Sequence, residues 1–306
     1  MVAKEARKSS SIGSLPRPLG DMPGLEYKGK LLLFGGGSGE DVRDEILSID
    51  PLTGACDEIG KMPYKSRGHQ VVRMGNVIYL LGGFEAGTRN DCHALDIEHH
   101  KAERLAPLPF SNAWFSAVEH KGNIVVLGGF SIPSGYLPHA GVFDPTSGKW
   151  ETVKDVFDDN IFPKPHMGSN VLASHGGHIY SFGGADTFDP AKGRANALDL
   201  AIRFFPDEKR WEKLAFSLSP REGIVAARHG EKLYLVGGMP EKGEKPFNDI
   251  EELNFSSMSL RLVGKLPYGC LTPAVACIKS RLIIAGGVTK PLFEMTDKIQ
   301  CLNINS

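Results

Sequence analysis

The chain has 306 residues, with 35 Lys and Arg against 36 Asp and Glu, for a net charge of −1. That balance offers no basic field for nucleic acid or an anionic membrane, and 41% hydrophobic with 23% charged residues is the composition of a folded globular protein. Apolar runs such as Leu31–Phe34, Val77–Leu81 and Leu282–Ala285 are only four to five residues long, which excludes a membrane-spanning helix.

The chain begins with Met1 to Ser11, which is charged and serine-rich without an apolar centre, so it does not read as a secretory signal peptide. Five cysteines follow: Cys56, Cys92, Cys270, Cys277 and Cys301. They are odd in number, lack Cys-x-x-Cys spacing and sit mostly in apolar strand-like runs. They are expected to be reduced and buried, in a cytoplasmic protein.

Glycine, at 36 residues, is over-represented and periodic. Six apolar runs end in a doublet: Gly35-Gly36, Gly82-Gly83, Gly128-Gly129, Gly183-Gly184, Gly237-Gly238 and Gly286-Gly287. The first glycines are 47, 46, 55, 54 and 49 residues apart. Five runs are preceded by a turn glycine (Gly29, Gly75, Gly122, Gly177, Gly230) and the sixth by Lys279-Ser280. A hairpin turn, a β-rich run and a position of free φ predict a strand that leaves its sheet at the doublet.

Further landmarks follow each doublet. Ile46–Asp50, Cys92–Asp96, Ala140–Asp144 and Ile250–Asn254 read as one strand ending in an Asx turn. A large hydrophobe then comes six residues later in the better copies, as Trp150 and Trp211, with Cys56, Ala102 and Leu260 in that slot elsewhere. Seven residues beyond the slot stand Pro63, Pro109 and Pro267. About four strands per repeat of some 50 residues, with little room for a helix, predict a β-propeller.

The multi-point pattern resembles the kelch-repeat family over essentially the whole chain. The best copy runs from Ile46 through Arg67, Gly75 and Tyr79 to Gly83. The expected fold is all-β: a six-bladed kelch-type β-propeller of four-stranded antiparallel blades, with residues 1–306 forming one propeller. The C-terminus lacks the last outer strand, because after Gly287 the chain supplies only Ile299–Asn303 before ending at Ser306. Ser11-Ile12-Gly13-Ser14-Leu15-Pro16 matches Glu58-Ile59-Gly60-Lys61-Met62-Pro63 and Leu262-Val263-Gly264-Lys265-Leu266-Pro267. Residues 9–16 are therefore expected to complete the C-terminal blade, since an open ring would leave a sheet edge in water.

Two sets of loops are expected on one face of the disc: those after the doublets and those leading into the next blade. By the kelch resemblance, that face is where ligands and partner peptides bind. Long loops on a rigid scaffold carry specificity, and Val156–His166 and Ala185–Ala197 are enlarged. The candidate partner-binding residues are Tyr64, Arg67, Arg89, Trp114, Tyr136, Phe162 and Arg221, with Phe115 a further exposed aromatic, because arginine and aromatics dominate interface energy.

Catalytic patterns are weak. There is no zinc spacing, no nucleophile elbow, and Gly35–Gly39 lacks the Lys-Ser/Thr of a phosphate loop, so no cofactor or metal is expected. Asp158-Asp159 could join a cation site, but surface solubility explains it equally well. The expected function is a non-enzymatic interaction module for a protein or peptide partner, acting as a monomer or in a hetero-complex. The propeller leaves no room for a BTB or F-box domain, so coupling to a ubiquitin ligase or to actin would need a separate subunit. The alternative implied by resemblance is a sialic-acid mutarotase, with Glu222 beside Arg221, or Glu85 with Arg89, as the acid–base pair.

Overall fold

The computed structural model describes residues 6–304 apart from 133, 154–155, 158–159, 163, 165–166, 190–193, 207, 241–244 and 291–293. Asp158 and Asp159, and part of the long loop carrying them, lie outside the described residues. The six doublet repeats form six antiparallel sheets around a central axis. Blade one is built from Gly24–Tyr27, Lys30–Phe34, Glu45–Ile49 and Cys56–Lys61. Blade two uses Gln70–Met74, Val77–Leu81, Cys92–Asp96 and Lys101–Arg104. Blade three uses Ser116–His120, Asn123–Leu127, Ala140–Asp144 and Lys149–Val153. Blade four follows with Val171–His175, His178–Phe182, Ala201–Phe205 and Arg210–Lys213. Blade five has Val225–His229, Lys232–Val236, Asp249–Asn254 and Ser259–Lys265. Blade six has Ala274–Ile278, Arg281–Ala285 and Lys298–Asn303, completed by Ser10–Ser14. Among the described residues there is no helix, hence none long and apolar enough to cross a membrane.

The N-terminal segment closes the ring as the motif match predicts. Ser10–Ser14 pairs antiparallel with Lys298–Cys301, slipping register between Ser11 and Gly13. The same slip occurs in the outer strands of blades one and five, where Ile59 before Gly60 and Val263 before Gly264 are passed over in the ladder. The shared Ile/Val-Gly pair is thus a β-bulge signature, which is why three outer strands look alike in sequence. Before reaching blade six, Arg7–Lys8 adds a parallel fifth strand to blade five. Leu15 and Leu19 then bury themselves between blades six and one, beside Ile299 and Leu31. One segment therefore joins three blades.

Each pair of neighbouring blades shares an apolar core, and the doublets decide how close the blades come. The second glycine of every doublet donates its N–H to a carbonyl in the loop leading into the next blade. The acceptors are Ser66, Asn112, Met167, Arg221, Cys270 and, across the closure, Leu19, at 2.7–2.9 Å. The first glycine lies against the same carbonyl: a Cβ on Gly128 would stand 2.0 Å from the Met167 oxygen, and one on Gly237 2.0 Å from that of Cys270. Both also have positive φ, 63° and 65°. Only glycine tolerates both the conformation and the approach.

The tryptophan slot is a second fastener. Trp150 and Trp211 donate their indole N–H to Ala106 and Val156 oxygens in the preceding connections, at 3.0 and 2.6 Å. The five cysteines are unbridged, and burial pushes the Cys56 thiol up to about 11 and that of Cys92 to about 12.

Removing residues 1–16 deletes the closing strand, the parallel strand and Leu15 together. We expect the melting temperature, followed by circular dichroism, to fall by about 10 °C or more. An unchanged melting curve would mean that the ring does not depend on this closure.

Candidate functional site

Both sets of loops emerge on one face, and they are more ordered than loop composition predicts. The doublets lead into small hairpins, Phe130–Ser131 with Gly135–Tyr136 and Ala185–Asp189 with Arg194–Ala197 being two of them. Beneath them the backbone builds three nested rings, one residue per blade in each. The innermost ring is Asp21, Gly68, Trp114, Ser169, Gly223 and Thr272, spaced with the same intervals as the doublets, and all six have φ between 49° and 62°. Each N–H from Gly68 to Thr272 donates to the carbonyl of the preceding blade's ring residue, at 2.7–2.9 Å. At the closure side chains take over: the Thr272 hydroxyl donates to Asp21 Oδ1 at 2.8 Å and receives the Asp21 N–H at 3.4 Å. This ring surrounds the mouth of an axial cavity of about 200 Å³.

The second ring is Gly20, Arg67, Ala113, Gly168, Glu222 and Leu271. The third is Gly37, Phe84, Phe130, Ala185, Met239 and Val288, each bridged to its second-ring partner by a pair of backbone hydrogen bonds. The backbone is nearly six-fold, but the side chains are not. Blades two and three place Arg67, Phe84, Trp114 and Phe130 on this floor, blade four places Gly168, Ser169 and Ala185, and blade five places Glu222, Gly223 and Met239. An aromatic wall therefore stands beside smaller residues, with the Tyr136 ring folded over Gly168 and the Leu271 side chain over Gly223.

The wall brings three of the seven predicted residues, Arg67, Trp114 and Tyr136, together with Phe84 and Phe130. Phe84 and Trp114 have ring centroids 5.5 Å apart, Trp114 and Phe130 6.3 Å, and Phe130 and Tyr136 5.6 Å. Arg67 caps this row, its guanidinium carbon 5.5 Å from the Phe84 ring and its Nη1 donating to the Gly39 carbonyl. Arg89 lies 4.5 Å over the Tyr64 ring and pairs with Glu85 and Asp91. Burial pushes the Tyr64 and Tyr136 hydroxyls up, so both are neutral donors at any physiological pH.

Three expected residues are elsewhere. Phe162 is 3% exposed and packs edge-on against Phe157 and Trp211 in the core between blades three and four. Phe115, 1% exposed, fills the junction beneath the Gly128-Gly129 doublet's neighbour strands rather than the face. Arg221 is also 1% exposed: it bonds to the Ser219 and Gly237 carbonyls, pairs with Glu251 at 3.1 Å and stacks on Phe247. Its guanidinium is turned into the ring, so it forms no acid–base pair with Glu222. Phe115 packs against Gly82 and Arg221 against Gly183 and Gly238, whereas the Trp114 ring lies over the inner-ring residue Gly68.

Sequence reasoning missed Phe84, Phe130, Asp21 and Asp186, and weighed Glu222 only as a catalytic partner of Arg221. The signal was available: these residues recur at fixed offsets from the doublets. Asp186 is 1% exposed and accepts from Asn196 Nδ2 and the Thr187 hydroxyl. Glu222 is half-buried, and desolvation first, then the charge of Asp21, pushes its carboxyl up to about 7. His69, 1% exposed in the cavity wall, is pushed down to about 3 by burial and is therefore neutral.

The architecture defines a propeller whose loop face carries a closed backbone ring around an axial cavity and an aromatic wall. The family described as the KLHDC2/KLHL20/DRC7 Kelch-repeats domain matches residues 24–238, and the chain belongs to the kelch-repeat family. It is similar to Kelch-like protein 40 of Xenopus laevis, 28% identical over 214 residues covering 66% of this chain and 33% of that protein. Similarity extends to Kelch-like protein 41b of Danio rerio, 28% identical over 55% of this chain and 27% of that protein. Kelch-like protein 25 of Xenopus tropicalis is 22% identical over 89% of this chain and 45% of its own length. The chain thus spans less than half the length of these relatives.

The raised carboxyl makes a stability prediction. A Glu222 that ionises near 7 when folded, but near 4.5 when unfolded, favours the native state below pH 4.5 and withdraws that support as pH rises towards 7. Glu222→Gln should therefore melt higher than wild type at pH 8, with the gap closing towards pH 5. A gap of the same size at both pH values would contradict the raised value.

Proposed function

We propose that the chain is a non-enzymatic interaction module that binds a protein or peptide partner on the loop face, over the wall formed by blades two and three. The observation that carries this reading is the continuous row Arg67, Phe84, Trp114, Phe130 and Tyr136. Its members are half-buried, packed on each other and held by backbone pairing, so they present area at low entropic cost. Arginine with rigid aromatics at the mouth of the axial cavity is the composition of an interface centre. Membership of the kelch-repeat family supports the same reading. The unbridged thiols fit a cytoplasmic setting, and a role within a hetero-complex would supply whatever activity the partner requires.

A sugar-epimerase reading has less support. It needs an arginine beside the proton-exchanging carboxylate, and Arg221 is committed to Glu251 and two carbonyls. Glu85 and Arg89 form an exposed pair on the loop rim, away from the cavity mouth.

The test is selection from a displayed random-peptide library, with affinities of the enriched peptides measured by fluorescence anisotropy. Trp114→Ala should weaken them by about tenfold or more, whereas Arg203→Ala, on the third strand of blade four, should leave them unchanged. Enrichment of nothing above background, or indifference to Trp114→Ala, would overturn the proposal.

A further inference from the structure

The six inter-blade cores are not filled equally. Three residues before each doublet stand Leu32, Tyr79, Val125, Tyr180, Tyr234 and Ile283, and each faces the next blade in the ring. Tyr79 meets Phe143 of blade three, with ring centroids 6.0 Å apart. Tyr180 shares a core with Leu253 of blade five, and Tyr234 with Leu302 of blade six. Phe143, Leu253 and Leu302 are themselves equivalent, since each pairs with the residue four before its own doublet. In blade four that position is Phe204, paired with Ile179, and its counterpart across the gap is Val125.

Valine is the smallest side chain at this position, and the burial of both partners records it. The other five residues at the place of Val125 are buried, and so are the other five at the place of Phe204, whereas Val125 and Phe204 are only half-buried. A cavity of about 260 Å³ lies between the two, larger than the one on the axis. Val125 and Val142 of blade three form one wall, and Ile179, Phe204 and Trp211 of blade four the other. Trp211 is fixed there by its bond to the Val156 oxygen, with its ring centroid 4.9 Å from that of Phe204. The polar part of the lining, His120, Lys121 and Asn123, comes from the hairpin at the end of the strands away from the doublets.

We propose that this inter-blade cavity binds a small aromatic molecule of one or two fused rings, seated where blades two, four and five place a tyrosine ring of their own. The site lies between blades rather than on the loop face, and it does not depend on peptide docking there. An apolar cavity of roughly 150 Å³ already holds a benzene ring, because water finds no hydrogen-bonding partners inside it. The larger volume here suits a bicyclic ring. Phe204 and Trp211 supply the offset and edge-on contacts that aromatic rings prefer, and burial of apolar area supplies the affinity.

The test uses indole as the probe and isotope-labelled protein in solution. Nuclear Overhauser effects should run from the indole protons to the Val125 and Val142 methyls and the Phe204 ring, with a dissociation constant of about 1 mM or tighter. Val125→Tyr gives blade three the ring its neighbours carry and should weaken indole binding about tenfold or more. Val125→Phe should do the same without adding a hydroxyl. Absence of effects at these three groups, or an affinity unchanged by both substitutions, would overturn the assignment. Effects confined to the loop-face aromatics would overturn it too, while leaving peptide docking in place.

Discussion

The contact on which the molecule depends is the seating of each glycine doublet against a carbonyl of the next blade. It occurs six times, including across the closure, where Gly287 donates to Leu19. It brings backbone against backbone at a distance that leaves no room for a side chain. The angle and separation of neighbouring sheets follow from it, and the innermost ring can then close its own tangential hydrogen bonds. Two levels of backbone pairing on one face make a rigid floor whose side chains are free to vary.

That freedom is where function resides. The ring positions impose a conformation, φ near 50°, that favours glycine or asparagine and strains most other residues. Trp114 occupies one such position at φ 49°, held down over Gly68 and flanked by Phe84 and Phe130. Keeping a bulky residue in a strained conformation at the mouth of a channel suits a surface that must be ready-made before a partner arrives. Opposite it, Gly168 lets the Tyr136 ring fold down and Gly223 makes room for the Leu271 side chain.

Much of the fold was legible because it is written in backbone requirements. The doublets, the turn glycines and the Ile/Val-Gly bulges each mark a place where only certain residues fit, so their spacing reports blade number and the closing strand directly. The site was less legible because burial next to a doublet changes within one residue. Trp114 and Phe115 are adjacent, yet one lies on the floor and the other in the core. Arg67 and Arg221 occupy neighbouring slots of the repeat, but Arg221 finds Glu251 beneath the blade surface while Arg67 finds Phe84 above it. Such choices depend on what the next blade offers. Phe84 and Glu222 became recognisable only as ring positions, since nothing in their immediate neighbours distinguishes them.

The most direct measurement compares the unfolding free energies of Gly128→Ala and Gly87→Ala by denaturant titration. Gly87 has no atom near the space a Cβ would fill and is not among the positive-φ residues, whereas Gly128 faces the Met167 oxygen at 2.0 Å. The doublet account predicts a loss of about 3 kcal/mol or more at Gly128 and within about 0.5 kcal/mol of wild type at Gly87. Equal midpoints for the two variants would show that blade spacing is set by something other than these contacts.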